Sequence, residues 1–265
     1  MSTSPSPVPR KVLVTGGAHR LGAQLCRTFA QAGWSVVCHY WQSEKAALEL
    51  CDALVAEGLQ ARAVAGDLDS DAGRQALMAA AAQGGGVDCL VNNASSFTPD
   101  AGATFEPAAM RAQLETNLVA PLDLGRLLAA QPRAGAAACI IHVLDQKVFN
   151  LNPDYFSYTV SKLALERSVA LQAQALAPRV RVCGVAPGLM YLSGPQSPAN
   201  FLAASQANLM RAPTDPADVA QTCLFLASTP SITGTTISVD GGQHLVPLPR
   251  DIMFVTEELL KGAKP

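Results

Sequence analysis

Alternation is the feature of this chain that most constrains its fold. Short β-branched or apolar runs recur at "KVLVTG" (11–16), "WSVVCHY" (34–40), "QARAVAGDL" (60–68), "VDCLVNNAS" (87–95), "ACIIHVLD" (138–145), "RVRVCGVAPG" (179–188) and "TTISVDGG" (235–242). Stretches rich in Ala, Leu and Gln, with helical period, separate them. Strands that alternate with helices join in parallel through crossovers on the sheet faces. The pattern therefore predicts a Rossmann-like α/β fold, a doubly wound parallel sheet of about seven strands. Nothing resembling a linker or repeat interrupts residues 11–265, which read as one domain behind a disordered Pro/Ser-rich tail over residues 1–10. In such sheets ligands bind beyond the carboxyl ends of the strands, where most of the polar residues of interest fall.

Charge and cysteine usage narrow the function classes. A net charge of -2, without any run of Lys and Arg, gives no attraction for nucleic acid or anionic lipid. No apolar run reaches the ~20 residues of a membrane span, and the tail lacks the apolar centre of a secretory signal. The seven cysteines stand singly, without CxxC or Cys/His spacing, and read as buried free thiols in a reducing compartment, with no metal site. A cytoplasmic protein is expected, with small molecules or further copies of itself as partners.

The first run ends in "TGGAHRLG", where Gly16 and Gly22 flank a strand-to-helix turn. Glycine lets backbone approach a pyrophosphate, and a helix start offers N–H groups and positive dipole. The spacing is not GxGxxG, because Arg20 stands where a third glycine would fall. His19, Arg20 and Leu21 complete the candidate cofactor contacts of this turn. After the second run come His39, Tyr40 and Ser43, with no Asp or Glu for a ribose 2′-hydroxyl, which favours NADP over NAD.

Tyr158 and Lys162 lie at i and i+4, on one helical face, behind an Asn-Pro turn and a strand ending in Asp145. An ammonium beside a phenol favours phenolate, so Lys162 is expected to lower the Tyr158 pKa. Asn117 sits in a helical stretch four residues before Pro121. Proline has no N–H to give the Asn117 carbonyl, so the helix should kink there, either to hold a water or merely for packing.

"TGxxxRxG", "NNAS", "YxxxK", "PG" and the closing "VDGG" together resemble the short-chain dehydrogenase/reductase family from residue 11 to about 244. The resemblance implies hydride transfer from NAD(P)H, with Tyr158 as proton donor, Lys162 on the nicotinamide ribose and Asn117 in a proton relay. It also implies that Asp67 and Leu68 border the adenine, that Asn93 and Ala94 lie along the cofactor, and that Pro187, Gly188 and Leu189 border the nicotinamide. A homotetramer built on the helices around Asn117 and Tyr158 is implied as well.

Where most members of that family carry a serine for a substrate carbonyl, this chain has Asp145. A carboxylate would repel a developing oxyanion and suits ring nitrogens instead. With Arg20, "HYWQS" and "NNASSF", it resembles the pteridine reductase branch, dihydromonapterin reductases included. That branch implies NADPH, a pterin stacked on Phe97, and contacts from Ser95 and Arg20 to both ligands. Gln42 stands where some members carry an arginine for the 2′-phosphate. Rival readings are a carbonyl or 3-oxoacyl reductase on the same fold, and a dinucleotide-binding regulatory protein without turnover.

Several residues keep a plainer alternative. Phe97 suits a core or interface, Trp41 packing or an adenine edge, His142 a hydrogen-bonded core position and His244 an interface cap. Tyr191 is a substrate-pocket candidate at the start of a long loop, 189–213, that reads as a mobile lid. The amphipathic stretch 251–261 either closes over a neighbour's site or packs on its own core.

Overall fold

The computed structural model describes residues 9–132, 136–193 and 196–262. Seven strands, β1 (Lys11–Val14), β2 (Ser35–Tyr40), β3 (Ala61–Ala65), β4 (Cys89–Asn92), β5 (Ala138–Val143), β6 (Val180–Pro187) and β7 (Thr236–Val239), form one sheet. All pairings are parallel, in the order β3-β2-β1-β4-β5-β6-β7. The strands stop short of their apolar runs because the last residues of those runs are turn residues. After Val14, for example, Gly16 takes φ +61°.

Strand period splits the core. Val12 and Val14 point to one face, where they pack with Leu25 and Phe29 of α1 (Arg20–Gln31), Leu54 of α2 (Glu44–Ala56) and Leu226 of α8 (Pro216–Ser228). Leu13 points to the other, with Leu77 of α3 (Asp71–Ala81), Leu128 of α5 (Ala120–Ala130) and Val169 of α6 (Phe156–Leu176). Each fully buried Leu or Phe contributes ~1.5–3 kcal/mol relative to exposure. Strand order reverses between β1 and β4, which opens a crevice at their carboxyl ends.

The helix that carries Asn117 is distorted where Pro121 predicts, but in a different manner. A π-turn, Glu115–Val119, joins α4 (Pro107–Leu114) to α5, and the Ala120 N–H reaches back five residues to the Glu115 carbonyl. Arg74, 2% exposed, anchors this turn. It donates to the Leu68 carbonyl, to Glu115 and Asp123 at 2.7–2.8 Å, and to Asp71.

The expected lid is partly helical. Ser197 caps α7 (Pro198–Ser205) by accepting from the Asn200 N–H at 3.2 Å; residues 194 and 195 of this loop lie outside the described residues. The C-terminal helix α9 (Ile252–Gly262) packs on α7 of its own chain, where Asn200 Nδ2 donates to the Met253 carbonyl at 2.9 Å. Of the expected N-terminal tail, residues 1–8 lie outside the described residues. All seven cysteines are buried and free. Among the described residues, no helix is long and apolar enough to cross a membrane, and no cluster of three His, Cys, Asp or Glu is arranged for a metal ion.

Candidate active site

One cavity of about 680 Å³ lies in the crevice and is lined by every residue expected at the cofactor or substrate, except Asn117. Its floor begins at the glycine turn. Thr15 Oγ1 accepts from the Asn93 and Ala94 N–H groups at 2.9 and 3.0 Å, and Asn93 Nδ2 donates to the Thr15 and Gly16 carbonyls at 3.0 and 3.1 Å. β1 and β4 are thereby stitched edge to edge. A Cβ on Gly22 would sit 2.0 Å from the Gly16 carbonyl oxygen, so only glycine permits this approach. No side chain caps the start of α1, and its first turn holds no acid, which leaves N–H groups and positive dipole to meet an anion. The turn fits a pyrophosphate.

Arg20 adopts φ 50°, the left-handed conformation that its glycine-like position demands, at a cost of ~1–2 kcal/mol for a non-glycine residue. Its guanidinium crosses the cavity mouth, donates to the Leu192 carbonyl and lies 4.9 Å from the Tyr191 ring centroid. A second left-handed residue, Tyr155 at φ 55°, precedes α6 and also lines the cavity. Such strain tends to gather at functional sites.

Ser43, Trp41, Gln42, Asp67 and Leu68 line the other end. His39 belongs to β2 rather than to the loop after it, and is 2% exposed. Its Nδ1 accepts from the Gly16 N–H at 3.1 Å, so Nε2 carries the proton and donates to the Gly66 carbonyl at 3.1 Å. Burial lowers its pKa. His39 is thus a neutral strut under the glycine turn, with both ring nitrogens already engaged, and supplies no cation for a phosphate. Tyr40, also in β2, donates to Glu44 at 3.1 Å.

The acid, phenol and amine meet at the centre of the cavity. Asp145 follows β5 and caps a short 3-10 turn, Gln146–Val148, by accepting from the Lys147 N–H at 2.9 Å. Its other oxygen accepts from the Tyr158 hydroxyl, also at 2.9 Å. Lys162, 3% exposed, donates to the Val143 carbonyl at 2.9 Å, with Nζ 5.7 Å from the Tyr158 ring centroid.

Burial raises the Asp145 pKa, partly opposed by Lys147 and by the Tyr158 hydrogen bond. Burial also pulls the Lys162 ammonium down to about 8, against the nearby Asp145 carboxylate. For Tyr158 the structure reverses the expected direction. Burial, and next the Asp145 charge, hold the phenol well above its ordinary value, because the carboxylate touches the hydroxyl while the ammonium stands 5.7 Å from the ring centroid.

Asn117 stands behind the cavity wall. Its Oδ1 accepts from Ser95 Oγ and the Ser96 N–H at 3.1 and 2.7 Å, and its Nδ2 donates to the Ser96 carbonyl and Ser161 Oγ at 2.8 and 3.0 Å. The side chain clamps the loop after β4 to α6. His142 has partners on both nitrogens, Asn92 and Gln172, as its mid-strand position predicts.

Phe97 is 41% exposed, stacks on Tyr155 at 4.2 Å and meets Tyr158 edge-on at 4.6 Å, giving the substrate end a flat aromatic wall. Tyr155, Lys147, Asp251 and Met253 also line this end and carry no motif in the sequence. Hydrophobic pattern places them in loops or on a tail, and only the tertiary fold brings them here.

A glycine-turn crevice that fits a dinucleotide, leading to a buried acid–phenol pair, defines an oxidoreductase. A family profile described as enoyl-(acyl carrier protein) reductase matches residues 16–244, and the chain belongs to the short-chain dehydrogenase/reductase family. It is 31% identical to pteridine reductase 1 of Leishmania tarentolae, covering 92% of this chain and 99% of that one. It is 27% identical to dihydromonapterin reductase of Klebsiella pneumoniae, covering 89% and 98%. Among solved structures it resembles FolM alternative dihydrofolate reductase 1 from Brucella canis, complexed with NADP, with a TM-score of 0.84 and 34% identity over 89% and 94% of the two chains.

Proposed function

We propose that this chain is an NADPH-dependent reductase of a pterin-type substrate, of the dihydrobiopterin, dihydromonapterin or dihydrofolate class. The observation that carries the reading is the 2.9 Å contact between the Tyr158 hydroxyl and the Asp145 carboxylate, beside the Phe97 wall. The relatives named above, and the NADP in the Brucella canis structure, support the same class.

When bound, NADPH supplies the hydride that reduces the C=N bond. The glycine turn and the start of α1 would hold its pyrophosphate, and Lys162 would bind the nicotinamide ribose. Asp145, its pKa raised by burial, keeps a proton closer to neutral pH than an exposed aspartate does, and delivers it to the ring nitrogen. Tyr158, whose phenol is held well above its ordinary pKa by burial and by the Asp145 charge, keeps its hydroxyl proton and fixes the carboxyl group in place, and water returns the proton to Asp145. Asn117 keeps Ser95 and the start of α6 in place. Holding donor, acceptor and proton source in fixed positions is the main catalytic device. The same reading carries a homotetramer that covers the exposed Val119 and Leu171, which light scattering would measure.

NADPH oxidation measured with the three dihydropterins and with a panel of ketones tests the assignment. Turnover of at least one pterin is expected. Good turnover of a ketone with none of any pterin would overturn it in favour of a carbonyl reductase. Binding of NADPH without turnover of either would favour the regulatory reading.

A further inference from the structure

Lys147 stands two residues after Asp145, and the proton chemistry above does not use it. Its ammonium is 3% exposed, pairs with Asp251 at 3.0 Å, and donates to Asn152 Oδ1 at 2.7 Å and more weakly to the Asp154 carbonyl at 3.5 Å. A buried ammonium costs several kcal/mol unless paired and hydrogen-bonded, so this one is held by its surroundings. Asp251 is equally committed. One oxygen takes Lys147, and the other accepts from the Met253 N–H at 3.1 Å, capping α9.

A second latch runs parallel. Arg250 Nε donates to both Asp154 oxygens at 3.0 and 2.8 Å, and the Asp251 N–H donates to one of them at 2.7 Å. Two charged contacts therefore fasten the C-terminal segment to the loop between Asp145 and α6, while Asp251, Ile252 and Met253 line the cavity. On the far side of the same loop, the Lys147 N–H holds Asp145.

We propose that Lys147 and Asp251 form a positioning pair that makes the C-terminal segment a working wall of the substrate site and keeps the Asp145 carboxylate aimed at Tyr158. The proposal rests on the role given to Asp145 above. The groups that face Asp145 are Lys147 on its own loop, Tyr158 and Lys162 on α6, and Asp251 on the C-terminal segment. Lys147 lowers the Asp145 pKa and Asp251 raises it, so removal of one or the other has opposite electrostatic effects.

The test compares kcat/KM against pH for the full chain, Lys147→Met, Asp251→Asn, the double variant and Lys147→Arg. The substrate is whichever pterin or carbonyl compound the wild type reduces. Each single variant is expected to lower kcat/KM about 10- to 100-fold by misplacing the loop, with NADPH affinity unchanged. Lys147→Met should move the limb reporting Asp145 to higher pH and Asp251→Asn to lower pH. The double variant should return it towards the wild type, and Lys147→Arg should recover most of the rate.

Unchanged kcat/KM, limbs that move in the same direction, or NADPH affinity lost in parallel would overturn the proposal. If a single variant fails to fold, the double variant, which strands no buried charge, still decides by its limb and rate. A failure of the pterin assignment appears separately, in the wild-type substrate panel.

Discussion

Replacement of Lys162 by methionine isolates the energetic conflict at the centre of the site. The ammonium is 3% exposed and its pKa falls from 10.5 to about 8, chiefly through burial. At ~1.4 kcal/mol for each tenfold change in proton affinity, that gap represents about 3 kcal/mol against the charged form. Loss of the 2.9 Å hydrogen bond to the Val143 carbonyl returns ~1 kcal/mol. Lys162→Met should therefore be more stable than the wild type by about 2 kcal/mol at pH 7, while reduction of substrate is lost.

The sign of the pH dependence follows from which state binds protons. Between about 8 and 10.5 the unfolded chain keeps the Lys162 proton and the folded chain has released it. Wild-type stability from this group rises through that window, and the methionine variant has no such rise. The advantage of the variant should thus be complete below pH 8 and fade by pH 10.5. Urea unfolding of both proteins across that range measures it. A difference independent of pH, or a variant less stable than the wild type at pH 7, would show that burial of this ammonium is not what sets the balance.

Asp145→Asn should lower the Tyr158 pKa, since it removes the carboxylate charge that helps hold the phenol up, and ultraviolet titration of tyrosinate would show the move. The same variant should lose ~10²-fold or more in pterin turnover, read as kcat. Gly22→Ala drives a methyl to 2.0 Å from the Gly16 carbonyl oxygen; a loss of ~1–3 kcal/mol in thermal unfolding and weaker NADPH binding are expected. Arg74→Met strands the carboxylates of Glu115 and Asp123, the latter 16% exposed, and should cost about 3 kcal/mol in urea unfolding.

The sheet was legible because burial on both faces leaves the central parallel strands as largely apolar runs, and each of the seven runs contains one strand. Asp145, Tyr158 and Lys162 were legible as neighbours for a related reason, since a strand end and one helical face fix where they stand. What spacing cannot supply is contact between individual atoms. It placed an ammonium near a phenol but gave neither the burial of the hydroxyl nor the carboxylate that touches it, so the direction of the Tyr158 pKa came out reversed. His39 shows the same limit, because a strand assignment says nothing of the Gly16 and Gly66 groups that occupy its ring. Lys147 and Asp251 were beyond reach altogether, as their pairing joins a loop to a tail that no local pattern connects.

Substrate preference in Asp145→Ser decides what the carboxylate does, because serine is the residue expected at this position in most of the family. The contact of carboxylate with phenol predicts that the wild type reduces a dihydropterin in preference to a ketone. It also predicts that kcat/KM for the pterin collapses in the variant, while that for the ketone holds or rises. A serine variant that reduced the pterin as well as the wild type does would contradict the account.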